Sequence, residues 1–404
     1  MIIQPKIRGF ICTTSHPLGC EKAVQEQIAY VKTKGRFTGP KCVLVIGAST
    51  GYGLASRIAA TFGAHAKTIG VFFEKEADDK RTATPGWYNT AAFEKIAHRE
   101  GHYAKSINGD AFSQQIKEQT AAFIRQDLKQ VDLIIYSLAS PRRLHPMTGA
   151  LHSSVLKPIG KPFIGKTIDA FRGEVKDVII DPATQGEIEN TVAVMGGEDW
   201  AMWLDFLHQE HLLANHFLTV AYSYLGPPLT YAIYKEGTIG KAKEHLKATA
   251  DQLTQQFKPL NGRAIVSVNK AIVTQASAAI PVVPLYIALL FKIMKEKGIH
   301  EGCIEQIVRL FKDYLYTPHA LHRDKEGFVR IDDLEMREDV QQKINELWPK
   351  VTTENLMQLS DTKGYCEDFY RLFGFNMPGI NYDDDVNPLI KIESLIKDSV
   401  IRDT

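Results

Sequence analysis

The sequence predicts an α/β fold built on a parallel, doubly wound sheet, and three observations carry that expectation. Short continuous apolar runs recur along the chain, as suits strands buried on both faces of a parallel sheet, and helical patterns separate most of them. A glycine-rich turn joins the first regular run to an alanine-rich helix. The bulk composition is that of an ordinary globular protein: 404 residues, 44% apolar and 24% charged, long enough to bury a large core without metal or disulfide support.

Taken in order, Met1–Ile7 reads as short β-like pieces and Glu21–Lys32 as a helix. Cys42–Ile46 is the first regular strand, Leu54–Phe62 the helix behind it and Thr68–Phe73 the second strand, which completes a βαβ unit. A further short strand precedes Asp110. Val131–Ser137, Leu218–Tyr224 and Arg263–Val268 are the later buried runs. Residues 163–196 break the rhythm. There Lys166–Phe171, Glu174–Ile180 and Ile188–Val194 read as half-polar strands set apart by Gly173, Pro182 and Gly186, an antiparallel β insertion beside the active-site mouth. Ala276–Phe291 is apolar enough to raise the question of a membrane span. It falls short of the roughly 20 residues a spanning helix needs, and Pro281 and Pro284 interrupt it, so a buried helix over an apolar pocket is expected. From about residue 300 the pattern turns helical and charged (Ile304–Tyr314, Met336–Trp348), giving a mostly helical C-terminal extension over 300–404.

Several function classes lose support at once. The formal net charge is +1, so neither nucleic acid nor a membrane surface is an expected partner. The five cysteines (Cys12, Cys20, Cys42, Cys303 and Cys366) are odd in number, scattered and form no C-x-x-C. Reduced thiols in a cytoplasm account for them, and no zinc site or disulfide framework is indicated. Lys6 and Arg8 are not followed by an apolar run of signal-peptide length. His208, His211 and His216 share one expected helix but lack the H-E-x-x-H spacing, and Trp200, Trp203, Phe206, Leu207 and Leu213 supply its apolar stripe; no metal is expected. Asp383–Asp385 reads as a solvated acidic turn. In Pro141–His145 the arginines face water, a cofactor phosphate or an acidic carrier protein.

Gly47-Ala48-Ser49-Thr50-Gly51-Tyr52-Gly53 follows the first regular strand and opens a helix. Glycines are needed where the turn is tight and the backbone must approach a pyrophosphate, and the helix N-terminus offers free N–H groups to the phosphates. The spacing is G-x-x-x-G-x-G, which resembles the short-chain dehydrogenase/reductase superfamily. A single enlarged Rossmann-type domain spanning 1–404 is therefore expected. Phe73 and Glu74 end the second strand, where a carboxylate accepts hydrogen bonds from the adenosine ribose hydroxyls and repels a 2′-phosphate. That favours NADH over NADPH, although Lys75 beside it partly offsets the repulsion. By topology Asp110-Ala111 suits the adenine edge, and Ser137-Leu138-Ala139-Ser140 passes beneath the nicotinamide ribose.

Two tyrosine–lysine pairs compete for the chemistry. Tyr231 and Lys235 have the four-residue spacing of ordinary short-chain reductases. Pro227 and Pro228 upstream and Gly237 and Gly240 downstream disfavour a regular helix through them. Tyr234 and Lys243 are nine apart, roughly 900° of ideal helix, and so lie on opposite faces unless the helix starts between them. Gly237-Thr238 supplies that start, with Thr238 as the expected N-cap.

The stretch from Ala221 to Lys243 (AYSYLGPPLTYAIYKEGTIGKAK) resembles the FabV-type trans-2-enoyl-ACP/CoA reductase family, and the glycine motif, Glu74 and the order of strands and insertion extend the likeness over nearly the whole chain. The resemblance implies NADH-dependent reduction of enoyl-ACP or enoyl-CoA in fatty acid synthesis, with Tyr234 as proton donor, its pKa lowered by a nearby ammonium, and Lys243 on the cofactor ribose. It further implies Tyr224 as a substrate contact and Ile272-Val273-Thr274 as the segment lining the nicotinamide. The alternatives are a trans-2-enoyl-CoA reductase of short-chain acyl metabolism, a carbonyl reductase using Tyr231 and Lys235, and a catalytically silent NADH-binding regulator. Acyl carrier protein is a candidate partner. Nothing in the sequence indicates an oligomer, and a monomer is compatible with it.

Overall fold

The apolar runs become the strands of one seven-stranded sheet in the computed structural model, which describes residues 1–8, 11–138 and 140–395. Two short strands, β1 (Ile7–Arg8) and β2 (Ile11–Cys12), pair with each other ahead of helix α1 (Pro17–Thr33). Then come β3 (Cys42–Ile46), α2 (Gly51–Ile58), β4 (Lys67–Phe72), α3 (Pro85–Arg99), β5 (Ala104–Asn108), α4 (Gln114–Phe123) and β6 (Val131–Tyr136). Two antiparallel hairpins follow, β7 (Arg142–Leu144) with β8 (Leu151–Ser153) and β9 (Phe163–Asp169) with β10 (Glu174–Ile180). Helices α5 (Gln185–Met195) and α6 (Glu198–Gln209) lead to β11 (Leu213–Ser223), α7 (Thr238–Gln256) and β12 (Arg263–Val268). The remainder holds α8 (Gln275–Ala278), α9 (Val283–Glu296), α10 (Cys303–Arg309), β13 (Val329–Arg330), α11 (Glu338–Leu347), α12 (Leu356–Leu359) and α13 (Thr362–Arg371).

The sheet order is β13-β12-β11-β6-β3-β4-β5, and every pairing in it is parallel. From β3 the chain steps outward to β4 and β5, then returns past β3 to β6 and continues the other way. The order thus reverses between β3 and β6, and the crevice at the carboxyl ends of those two strands is where such a sheet takes a ligand. One face carries α1, α2 and α10, whose Val24, Ile28, Ile58 and Ile307 pack with Val43 and Val45. The other carries α4, α6 and α7, where Trp200, Trp203 and Leu246 meet Leu44 and Ile134. Each large apolar side chain so buried contributes about 1.5–3 kcal/mol. The two indoles also satisfy their N–H groups, on Thr219 Oγ1 at 2.8 Å and the Ala111 carbonyl at 3.1 Å.

Several expectations need correction. Ile188–Val194 is not a strand but lies within α5: Thr184 and Glu187 form a capping box that starts the helix, and Thr191 and Val194, three apart, are its buried face. The β-branched residues there suggested a strand, and the S/T-x-x-E signal outweighs them. The expected histidine helix ends at Gln209, so His211 lies in a turn, while Leu213 and His216 belong to β11. Thr238 is the first residue of α7 and not its cap, which is Gly237. Arg143 does not face water: it is buried and paired with Glu198. The C-terminal part is less helical than expected, since β13 adds an edge strand to the main sheet.

Ala276–Phe291 splits into α8 and α9, and α9 is buried all round from Val283 to Phe291, with Leu285, Ile287, Leu289 and Leu290 enclosed among residues of α11 and α13. No helix among the described residues is long and apolar enough to cross a membrane. Asp385 of the acidic turn pairs with the N-terminal amine.

Candidate active site

Because all seven strands run the same way, their carboxyl ends bring the candidate residues to one edge. The turn after β3 is the tightest feature there. Gly47 has φ +86°, and a Cβ on it would lie 2.1 Å from the Ser137 carbonyl oxygen after β6; a Cβ on Gly53 would lie 1.9 Å from the Gly47 carbonyl oxygen. Gly51, at φ +54°, meets nothing within 4 Å and opens onto free space. Thr50 caps α2 without a side-chain bond to the first helical amides, so those N–H groups are left for an anion. Ala48 donates its amide to the Val71 carbonyl, which ties the turn to β4. Below, Arg57 fixes α2 to β5 through Ser106 Oγ at 2.8 Å and the Lys105 carbonyl at 2.7 Å.

Glu74 stands beside this turn. Its Oε1 accepts from Ser49 Oγ at 2.7 Å, and its backbone is clamped by Asn108, whose Oδ1 accepts from the Glu74 amide at 2.9 Å. Burial raises its carboxyl pKa, and hydrogen bonds from Thr84 and Ser49 work against that shift. Phe73 turns outward and is 77% exposed. Asp110 turns the chain into α4 by accepting from the Phe112 amide at 3.0 Å. Ala111 is buried, and its carbonyl accepts from the Lys117 ammonium at 3.2 Å. Leu138 is half-buried after β6; Ala139 lies outside the described residues. The Tyr52 hydroxyl reaches across to the Lys270 carbonyl at 2.9 Å, and its ring centroid lies 5.6 Å from that of Tyr222.

Beyond β11 the chain runs through a 3-10 turn at Pro228–Thr230 and further turns before α7 begins. This places Tyr234 on a loop and Lys243 inside the helix. Tyr234 is 92% buried with its ring edge-on to Tyr224 (centroids 4.9 Å apart, 81° between planes). Its hydroxyl makes no hydrogen bond among the described residues, yet it is not sealed from solvent. Burial alone pushes this phenol above its ordinary pKa; the expected lowering by an ammonium is not what the structure shows. Burial pushes the Lys243 amine down to about 8, and its Nζ donates to the Tyr222 carbonyl at 3.3 Å. In the competing pair, Lys235 Nζ lies 5.0 Å from the centroid of the Tyr231 ring, a cation–π contact and not a bond to the hydroxyl.

After β12, Ile272 and Val273 are buried, and Thr274 caps α8 by accepting from the Ser277 amide at 2.9 Å. That leaves the Thr274 hydroxyl proton free to donate. Sequence reasoning missed a buried group beneath this segment. Lys270, Tyr286 and Glu335 meet there, Tyr286 donating to Glu335 Oε1 at 2.6 Å and Tyr224 to the same oxygen at 3.0 Å. Tyr224 and Glu335 are 111 residues apart, so no local pattern announces the pairing; the one available signal is a lysine two residues past a buried strand. No group of metal-ligating side chains occurs among the described residues.

This geometry agrees with what the chain is similar to. Residues 81–316 match the trans-2-enoyl-CoA reductase catalytic region, residues 2–79 the NAD(P)H binding domain of trans-2-enoyl-CoA reductase, and residues 323–386 the enoyl reductase FAD binding domain. The enoyl-[acyl-carrier-protein] reductase [NADH] of Flavobacterium johnsoniae is 61% identical over 98% of this chain and 100% of its own length. The protein of that name from Coxiella burnetii is 61% identical over 96% of each. The crystal structure of Treponema denticola trans-2-enoyl-CoA reductase in complex with NAD superposes with a TM-score of 0.94 at 52% identity, covering 97% of this chain and 100% of that one. With catalytic and nucleotide-binding regions both matched and likeness running over nearly its full length, the chain belongs to the trans-2-enoyl-CoA reductase family.

Proposed function

We propose that the protein is an NADH-dependent enoyl-[acyl-carrier-protein] reductase, saturating the trans-2 double bond of an enoyl thioester, with the CoA thioester as the alternative carrier. One observation carries the reading. Tyr234 has a buried ring and a hydroxyl with no partner among the described residues, and it sits on the loop that follows β11 at the carboxyl edge of the sheet. Because that hydroxyl is reachable from outside and is not spent on the protein, its proton is available to a ligand. The open space over Gly51 and the free amides of α2 fit a pyrophosphate, and the Glu74 carboxylate fits a ribose without a 2′-phosphate. NADH bound there supplies hydride to the β-carbon of the substrate.

The residues of the chain do the rest. Negative charge develops on the thioester oxygen as the double bond is reduced, and the Tyr234 hydroxyl donates to that oxygen in the manner of an oxyanion hole. Because burial holds this phenol above its ordinary pKa, it stays neutral and keeps the proton it must give. Lys243 spends one N–H on Tyr222 and keeps two for the nicotinamide ribose hydroxyls. Thr274 offers its proton to the carboxamide. Tyr224 contacts the substrate beside Tyr234.

Residues 323–386 do not fit a flavin. Their apolar side chains (Val340, Ile344, Leu356, Phe369) are consumed packing against α9, and the stretch holds no strand–glycine turn–helix cradle like that at Gly47–Gly53. We read this segment instead as part of one enlarged unit, since it lends β13 to the sheet and Glu335 to the site.

The test follows NADH absorbance with crotonyl-CoA, dodecenoyl-CoA and dodecenoyl-ACP, for wild type and Tyr234→Phe. Turnover by wild type with a loss of about 10²–10³-fold in the variant is expected, and the substrate ratio chooses the carrier. Near-full rate in Tyr234→Phe would remove Tyr234 from the chemistry.

A further inference from the structure

Glu335 lies in the chain between β13 and α11, far from the elements that carry the other site residues, and its side chain is fully buried. Three donors converge on its carboxyl group. Oε1 accepts from the hydroxyls of Tyr286 at 2.6 Å and Tyr224 at 3.0 Å, and Oε2 accepts from the Ala271 amide at 2.7 Å. Gln341 Nε2 donates to Tyr286 Oη at 3.1 Å, which leaves the Tyr286 proton for the carboxyl oxygen. The Ala271 amide can only donate and Gln341 holds Tyr286 as a donor, so the ionised carboxylate accepts from all three neighbours at once; burial raises its pKa, and Lys270, Tyr286 and the Ala271 amide work against that shift. The balancing charge is Lys270, also buried, whose Nζ donates to the Ala271 carbonyl at 2.8 Å.

We propose that Glu335 is a positioning residue for the reduction: it takes the Tyr224 hydroxyl proton and so fixes that ring against Tyr234 while withdrawing it as a rival donor. Two phenols stand side by side here, and a substrate oxygen approaching both could draw on either. With the Tyr224 proton committed to the carboxylate, Tyr224 meets the substrate with its ring and oxygen lone pairs. Tyr234 alone then has a proton to give. Without the carboxylate the Tyr224 hydroxyl is free to rotate, and its ring no longer holds the face of Tyr234 in one place. This rests on Tyr234 as the donor.

A double-mutant cycle on the full chain tests it, with Glu335→Gln, Tyr224→Phe and the pair, assayed with crotonyl-CoA and NADH. Glutamine keeps the volume but turns an NH₂ against a donor in either orientation. Glu335→Gln should lower kcat about 10- to 100-fold, since a hydrogen bond to a charged group is lost, with the Kd for NADH held within about twofold. In the Tyr224→Phe background the same change should cost less than about threefold, because residues that act through each other are not additive. A purely structural role predicts equal losses in both backgrounds, and that result overturns the proposal, as does wild-type kcat in Glu335→Gln. If Glu335→Gln does not fold, Glu335→Asp keeps the charge beside Lys270 and retracts the oxygens by one methylene. Its loss must again depend on Tyr224, and a Tyr224-independent loss refutes the assignment. Failure of Tyr234→Phe to lose activity is a separate result, which undoes the donor and leaves the Glu335–Tyr224 coupling to be read on its own.

Discussion

Replacing Gly86 by alanine separates cofactor affinity from chemistry. Gly86 is the second residue of α3 and has no unusual φ. A Gly→Ala change in a helix of compatible backbone ordinarily stabilises by about 0.4–1 kcal/mol. Here the new Cβ would lie 2.0 Å from Glu74 Oε1 and 2.7 Å from Ser49 Cβ, so the carboxylate must swing away by about an ångström or more to reach van der Waals contact. Swinging breaks the Ser49–Glu74 bond, and a hydrogen bond to a charged group is worth about 1.5–3 kcal/mol. The net effect on folding is thus a loss of about 0.5–2.5 kcal/mol. The proposed grip of Glu74 on the ribose hydroxyls suffers more. Loss of one such bond raises the Kd for NADH about 10- to 100-fold. Because that contact is made equally in ground and transition states, kcat at saturating NADH should stay within about threefold. Fluorescence titration gives Kd, steady-state rates at saturating crotonyl-CoA give kcat, and urea unfolding gives stability. An unchanged Kd would mean that Glu74 does not touch the ribose, whatever the folding cost.

Two further expectations concern buried lysines. Lys243 titrates near 8 instead of its usual 10.5, so its ammonium is present below that pH and lost above it; kcat/KM for NADH should fall about tenfold per unit on the alkaline side. Since the unfolded chain binds more protons between those two values, folding stability rises with pH across the same window, opposite in sign to activity. Lys270 is also pushed down to about 8, so the assignment needs Lys243→Arg to abolish the alkaline limb while Lys270→Met leaves it. Lys117→Met should cost about 3–5 kcal/mol in urea unfolding, because Asp199, 2.8 Å from Lys117 Nζ and equally buried, is left charged without its partner; a loss below about 1 kcal/mol would show that Asp199 takes up a proton at little cost.

What the sequence made legible divides along the range of the interactions. Cys42–Ile46 and most of Val131–Tyr136 and Arg263–Val268 are buried on both faces, so each is a mainly apolar run and is recognisable alone. The turn at Gly47 is legible because its glycines follow a buried strand and Gly53 answers to the nearby Gly47 carbonyl, although Gly47 itself answers to Ser137, which lies after β6. Ile188–Val194 misled because its burial is one-sided and sparse, and the β-branched residues spoke louder than the box at Thr184. Arg143 was misread because its partner lies 55 residues on. The Glu335 cluster was invisible for the same reason. It draws on α9 and the loops after β11, β12 and β13, and only folding brings those together.

The nine-residue spacing from Tyr234 to Lys243 shows how a local exception and the site depend on each other. A continuous helix would put the two on opposite faces. Gly237 instead caps α7, and a Cβ on it would lie 2.7 Å from the Ile233 carbonyl oxygen and 2.9 Å from that of Lys157. One turn further, a Cβ on Gly240 would lie 1.8 Å from the Lys235 carbonyl oxygen. These two glycines let the loop carrying Tyr234 lie directly against the start of the helix, which a side chain at either position would lift away. Thr238 locks the arrangement from outside by donating to the Val155 carbonyl at 2.5 Å, so the segment ahead of the β9–β10 hairpin braces the turn. The proposed donor therefore owes its place to a helix that begins late, and the residues that delay it are the same glycines and prolines that argued against the Tyr231–Lys235 pair.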